Sequence, residues 1–339
     1  MSRRGEHDPF GVLLVDKPEA PTSHDIVGWI RWALDVASVG HCGTLDPAAS
    51  GLLVVCVGAA TRLVPYLTDL DKTYIARFAL GRSTTTDDRE GETRATAPIS
   101  PELHAAALAA LPELAGAHAL PPPAFSAVKI DGERAHRLAR RGEEVDLAPR
   151  PMTVFAVRDT RAGDAGSSGG LAHPTPEPWV EATIEVSKGT YIRSLAVLLG
   201  QRLGVPVHLA GLRRTSCGLA SLADPRTITG IAATREPPTR PGAPPRTRLS
   251  LGGDDPRALA RARLRAGLLD PTTILSLPVA AIPGDDPRLA RLIQGQAVDA
   301  SAWPAGDRLV LRTPGRLLVV VREADRVRPE RVLAVPVDA

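Results

Sequence analysis

The chain has 339 residues, 43% hydrophobic and 23% charged, which excludes a disordered or fibrous protein and allows one large domain with a small one beside it. Its apolar runs, such as Leu52–Val57 and Leu317–Val321, fall far short of the roughly 20 residues a membrane span needs, and the N-terminal MSRRGEHDPFG lacks the apolar core of an export signal. Cys42, Cys56 and Cys217 are too few and too widely spaced for a disulfide framework or a zinc site and fit a reducing cytosol.

In chain order, FGVLLVDKP reads as a buried strand running into a turn at Lys17-Pro18. TSHDIVGWIRWALDV follows as a helix, with Ser23 as its expected N-cap and Asp25 in the first turn. GLLVVCVG and the alternating TYIARFALG read as strands. SPELHAAALAALPELAG predicts a helix opened by Ser100 and Pro101 and closed by Gly116. WVEATIEV alternates, so Val180, Ala182, Ile184 and Val186 are expected to face inward and Glu181, Thr183 and Glu185 outward. SKGT then turns into a helix, YIRSLAVLLGQRLG, capped by Gly204.

Two segments break the pattern. Residues 161–178 read as a flexible loop inside one domain, and the Pro-rich stretch 234–255 as an interdomain linker. Beyond it come an arginine-studded helix, PRALARARLRAGLLD, then a helix opened by Asp286 and Pro287, and two strands about Pro314-Gly315. The expected organisation is a mixed, largely antiparallel α+β domain over 1–233, a Pro/Arg-rich linker with a short helix over 234–275, and a small strand-rich unit over 276–339.

Charge sets few limits. The net charge of +3 and the isoelectric point of about 9.0 permit a polyanionic partner without requiring one. High Arg, Ala and Pro with few Lys follow equally from the base composition of a genome.

Three stretches stand out chemically. In HCGTLDPAASG the carboxylate of Asp46 sits among small, turn-forming residues that admit a ligand or a neighbouring backbone, yet Asp before Pro is also an ordinary helix start. His41 and Cys42 are adjacent, so their side chains diverge and make no metal pair. In DKTYIARF, Tyr74 opens an alternating strand, where a core or edge aromatic is the ordinary role. In SKGTYIRSL, Lys188, Tyr191 and Arg193 gather where a strand hands over to a helix, although a surface turn accounts for them as well.

Six stretches in order alter that balance: LLVDKPEAPTSHDIV, GHCGTLDPAASGLLVVCVGAATRL, DKTYIARFALGRSTTTDD, PPPAFSAVKIDGERAHRLARRG, EVSKGTYIRSLAVLLG and HLAGLRRTSCG. Together they resemble the TruB family of tRNA pseudouridine-55 synthases, over about residues 9–235 with a looser continuation beyond. The resemblance implies a pseudouridine synthase fold with a small C-terminal PUA-like β-barrel. It implies Asp46 as the catalytic aspartate, Tyr74 as the tyrosine that stacks on the target base, and Arg193 as the arginine that pairs with the aspartate. Tyr191 and Leu212 would line the pocket, Lys17 and Pro18 would support it, and His41 would contact the displaced part of the RNA loop. Cys42, Thr85, Leu120 and His136 depart from the family pattern, where threonine, aspartate, glutamine and tyrosine are common; none falls on the catalytic trio.

The implied reaction detaches a uracil base from its sugar through nitrogen and rejoins it through carbon. It calls for no cofactor and no metal, in keeping with a sequence that lacks a P-loop, a dinucleotide fingerprint and clustered metal ligands. The implied partner is tRNA, through its TΨC stem-loop. The resemblance implies a cytoplasmic monomer with no membrane attachment and no obligatory protein or guide-RNA partner. Lys129, Arg137, Arg140, Arg141, Arg213 and Arg214 are candidates for phosphate contacts, with a solvated helix face as the alternative for Arg137–Arg141.

Overall fold

The computed structural model describes residues 9–126, 128–130, 132–171, 173–237 and 246–335, which fold as two compact units. One unit holds residues up to Asp46, Leu52–Leu70 and the chain from Gly218; the other holds Pro47–Gly51 and Asp71–Cys217. Among the described residues no helix is long and apolar enough to cross a membrane.

The first unit begins with strand β1, Gly11–Lys17, whose Val12–Val15 are buried. Helix α1, Ser23–Leu34, follows because Ile26, Val27, Ile30, Ala33 and Leu34 recur at helical spacing and bury one face. Its N-cap is Thr22 rather than the expected Ser23. The Thr22 hydroxyl accepts from Asp25 N at 3.1 Å while the Asp25 carboxylate accepts from Thr22 N at 2.8 Å, a closed capping box. Strand β2, Val39–His41, pairs antiparallel with the end of β3, Ala49–Val57.

Strand β3 belongs to both units, since Ala49–Gly51 lie in the second. That second unit continues with β4, Lys72–Leu80, and α2, Pro101–Ala110, capped by Ser100 as expected. Here Gly116 does not close the helix. The chain passes Pro112 in a short 3-10 turn, Pro112–Leu114, and Gly116 opens strand β5, Gly116–Leu120. Strands β6, Arg150–Gly163, and β7, Trp179–Val186, helix α3, Ile192–Leu203, and strand β8, Val207–Cys217, complete the unit. The sheet order is β8-β4-β7-β6-β5 with every neighbour antiparallel, and the first residues of β3 run parallel to β8 on its other side. Gly51 permits that parallel approach, because at φ +99° a Cβ there would sit 2.3 Å from the Arg214 carbonyl oxygen.

Alternation along β7 misplaces one residue. Glu181 is fully buried, not outward, and its carboxylate accepts from Arg77 Nε at 3.1 Å, Arg77 Nη2 at 2.9 Å, Arg161 Nε at 2.6 Å and Gly170 N at 2.9 Å. Arg77 lies over the Trp179 ring at 4.3 Å and donates to the carbonyls of Leu171 and His173 at 3.2 and 2.5 Å. Two cations and a carboxylate thus compensate one another where a lone charge would be prohibitive. The same contacts hold the 161–178 loop, which the sequence reads as flexible, against the sheet.

The first unit resumes after β8. The Pro-rich stretch lies partly on residues 238–245, outside the described ones; at its ends Ala232–Glu236 and Arg246–Ser250 pair as antiparallel strands. Helix α4, Pro256–Ala266, packs on α1, with Arg257 Nε and Arg261 Nε donating to the Trp32 and Ala33 carbonyls at 3.0 and 2.9 Å. The last strands form a five-stranded sheet in the order Val279–Ala281, Arg308–Thr313, Arg316–Glu323, Arg326–Ala334 and Val298–Asp299. Its core is Leu309, Leu311, Leu318, Val320 and Val327.

Candidate active site

The expected site residues divide at the Asp46–Pro47 bond. Lys17, Pro18, His41 and Asp46 lie in the first unit, and Tyr74, Tyr191, Arg193 and Leu212 in the second.

Asp46 is half-buried and ends an irregular run, residues 42–46. No helix begins after it: Pro47-Ala48 is a turn and Ala49 opens β3, so the helix-cap alternative falls away. The run is held at its last step before the aspartate. Ser23 Oγ accepts from Leu45 N at 2.9 Å and lies 3.1 Å from Leu45 O, to which it donates. Lys17 is fully buried and spends its ammonium on the turn that feeds α1, donating to the Pro18 and Pro21 carbonyls at 2.9 Å each. Pro18 is half-buried in that turn. The His41 ring meets His24 of α1 edge-on, centroids 5.3 Å apart. Cys42 and Cys56 are buried free thiols with sulfurs 3.5 Å apart.

In the second unit the sheet register gathers two of the residues. Tyr74 pairs with Arg214, and Ala76 two positions on pairs with Leu212, which also pairs with Ala49 of β3. Cross-strand partners share a face, so Tyr74 and Leu212 are diagonal neighbours on one side of the sheet. Tyr74 is 6% exposed.

Arg193 enters from the first turn of α3, with 6% of its surface exposed. Its Nη1 donates to the Thr86 carbonyl at 3.1 Å and its Nη2 to the Phe125 carbonyl at 3.0 Å, while Asp88 Oδ2 lies 3.7 Å from Nη1. Ser194 adds a bond to the Pro121 carbonyl at 2.7 Å. The start of α3 therefore staples together the 84–91 turn and the 121–126 segment. Tyr191 packs against Val128, Ala135 and Leu147.

Asp88 is the residue that sequence reasoning missed. It is 7% exposed and accepts from Thr86 Oγ1 at 2.5 Å and Glu90 N at 3.0 Å besides facing Arg193. The signal in the sequence is the second aspartate of TTTDD. Beside it, burial pushes the Asp87 carboxyl above the usual range, against the pull of Arg94 and Arg193.

The proposed phosphate contacts separate. Arg214 is 1% exposed and so belongs to the sheet interior rather than to a phosphate surface. Arg141 is engaged by Glu133 and Glu143 at 2.6 Å each. Arg213 is half-buried, with Nη1 3.4 Å from Ser50 Oγ, and Lys129, Arg137 and Arg140 are exposed. Among the described residues no three His, Cys, Asp or Glu side chains are grouped to hold a metal ion.

Comparison with known proteins shows the family of the chain. The family described as TruB family pseudouridylate synthase (N terminal domain) matches residues 31–192. A tRNA pseudouridine synthase B of Opitutus terrae is 41% identical over 223 residues, covering 66% of this chain and 87% of the relative. That of Gluconobacter oxydans is 36% identical over 300 residues, 88% of this chain and 80% of its own. That of Thermobifida fusca is 45% identical over 225 residues, 66% and 74% of the two chains. The solved structure of a Cbf5-Nop10-Gar1 complex shares the fold at a TM-score of 0.60 and 23% identity, covering 97% of this chain and 86% of that one. The chain is a member of the TruB family of pseudouridine synthases.

Proposed function

We propose that this protein isomerises uridine-55 in the TΨC loop of tRNA to pseudouridine, with Asp46 as the catalytic carboxylate acting on a flipped-out base. The observation that carries this reading is the common name of relatives 36–45% identical to it, tRNA pseudouridine synthase B.

The chemistry suits the residues. Breaking the bond from sugar to base nitrogen builds cationic, oxocarbenium-like character that an anion stabilises or traps. Asp46 supplies that anion. Arg193 orients the carboxylate, a task that a planar guanidinium performs better than an ammonium. A uridine taken out of a folded loop needs a new stacking surface. Tyr74 provides the ring, and its hydroxyl is suited to handling the ring-carbon proton of the last step. Leu212 and Tyr191 line the base pocket. Lys17 and Pro18 support it from the turn before α1, and His41 contacts the displaced RNA loop.

Residues 1–233 form the catalytic domain in this reading, 234–275 a linker with a short helix, and 276–339 a PUA-like RNA-binding domain. The five-stranded C-terminal sheet supports the last assignment. The enzyme acts in the cytoplasm as a monomer, without a guide RNA or an obligatory protein partner.

The test is to incubate the protein with an unmodified TΨC stem-loop and map pseudouridine by position. One product at the position of uridine-55 is expected. Free uracil would make the protein a base-releasing glycosidase, and binding without product would make it an RNA-binding module.

A further inference from the structure

We infer that Ser23 is a positioning residue for Asp46, an inference that rests on the catalytic assignment of Asp46 proposed above. The Ser23 side chain is not needed by its own helix, because Thr22 and Asp25 complete the N-terminal capping box without it. Its hydroxyl instead serves a single residue 22 positions away: Leu45 N–H donates to it at 2.9 Å, and it donates to Leu45 O at 3.1 Å.

Those two bonds have a geometric consequence. The Leu45 N–H belongs to the peptide before Leu45, and the Leu45 carbonyl belongs to the peptide that carries Asp46 N. Fixing both orients the two planes about Leu45 and thereby sets the direction in which Asp46 leaves the chain. Residues 42–46 lie outside any helix or strand, and Cys42 N donates to the Val54 carbonyl at 2.8 Å where the run begins, so the Ser23 clamp acts at its far end, next to the aspartate. Ser23 is 1% exposed and the Leu45 side chain 3%, so water does not compete for the clamp.

The anchor is itself fixed. Lys17 ties down the turn before α1 through the Pro18 and Pro21 carbonyls. His24, the next residue of the helix, meets the ring of His41, the last residue of β2 before the run. The first turn of α1 thus touches the chain just before the aspartate loop and clamps it beside the aspartate. A displacement of about 1 Å at a reacting group can lower a rate about a hundredfold.

Ser23→Ala removes the hydroxyl without adding volume. It is compared with wild type and Asp46→Asn in single-turnover pseudouridine formation on an unmodified TΨC stem-loop, enzyme in excess and well below the unfolding midpoint. Stem-loop affinity and amide exchange at Leu45 are measured on the same preparations. The expected result is a rate at least about tenfold lower, affinity within about twofold of wild type, and faster exchange at Leu45. A residue that merely stabilised the fold would lower the unfolding midpoint and leave the turnover of the bound, folded enzyme unchanged. Should the alanine variant fail to fold, Ser23→Cys carries the test, since it nearly keeps the volume but bonds weakly. A fall of at least about threefold at unchanged affinity is then expected. A wild-type rate in the folded variant, or rate and affinity falling together, overturns the inference. Asp46→Asn separates the two levels: an inactive Asp46→Asn beside a fully active Ser23→Ala removes only the positioning role, whereas an active Asp46→Asn removes the assignment of Asp46 and this inference with it.

Discussion

Arg193→Lys tests the buried guanidinium most sharply, because charge is kept while the planar fork is lost. The two bonds diverge, Nη1 to the Thr86 carbonyl at 3.1 Å and Nη2 to the Phe125 carbonyl at 3.0 Å, with Asp88 3.7 Å from Nη1. A single ammonium nitrogen replaces this fork and is expected to keep one of the two carbonyls. The forfeited bond involves a charged donor and is worth about 1.5–3 kcal/mol. If that loss is felt in the transition state, at about 1.4 kcal/mol per tenfold, turnover falls between about tenfold and about a hundredfold. Single-turnover pseudouridine formation with enzyme in excess reads the chemical step, and titration of the labelled stem-loop reads affinity, expected within about threefold. A folded Arg193→Lys enzyme with wild-type turnover would show the reasoning to be mistaken.

Tyr74→Phe keeps the ring and removes the hydroxyl, so RNA binding should remain near wild type while formation of the final product slows; equal product formation by both enzymes would leave Tyr74 as a stacking platform only. Glu181→Gln leaves Arg77 and Arg161 without their shared carboxylate and should cost about 3–5 kcal/mol in urea unfolding; a loss below about 1 kcal/mol would mean that the cluster is not stabilised as its geometry indicates. His208 is fully buried, with Nδ1 2.9 Å from the Arg82 carbonyl and Nε2 3.2 Å from the Arg82 guanidinium. These partners require a neutral ring that donates from Nδ1 and accepts at Nε2. Burial pushes its pKa below the usual 6.5. A depressed folded-state pKa gives stability that is fully present above the unfolded value and is lost as pH falls through the folded one. Urea unfolding between pH 7.5 and 5 should therefore show a steeper loss for wild type than for His208→Gln, and equal pH dependence would remove His208 from the account.

The elements and their order were legible because they rest on local periodicity. The apolar face of α1 at Ile26, Val27, Ile30 and Leu34, the Gly204 cap and the strand pair about Pro314-Gly315 each follow from spacing within one segment. The errors arose where a distant partner decides. Glu181 alternates like an outward residue, and its burial is made tolerable by Arg77, on a neighbouring strand 104 residues earlier, together with Arg161 and the Gly170 amide. Ser23 carries the usual mark of an N-cap, yet its hydroxyl serves Leu45. In the site, Asp46, Tyr74 and Arg193 were named through the order of six short stretches, since each alone has an ordinary structural explanation. Asp88 escaped because its significance depends on Arg193, which approaches from a helix far along the chain.

Asp46→Asn bears on the central claim most directly. It removes a charge while nearly preserving shape, and an amide oxygen neither stabilises a cationic sugar as an anion does nor serves as a comparable nucleophile or base. Stem-loop affinity and thermal unfolding should stay close to wild type, because RNA binding rests mainly on phosphate and stacking contacts elsewhere. Single-turnover pseudouridine formation, measured on the same preparation, should be almost abolished. A folded, RNA-binding Asp46→Asn enzyme that still converted a substantial fraction of the stem-loop would contradict the assignment of Asp46 as the catalytic carboxylate.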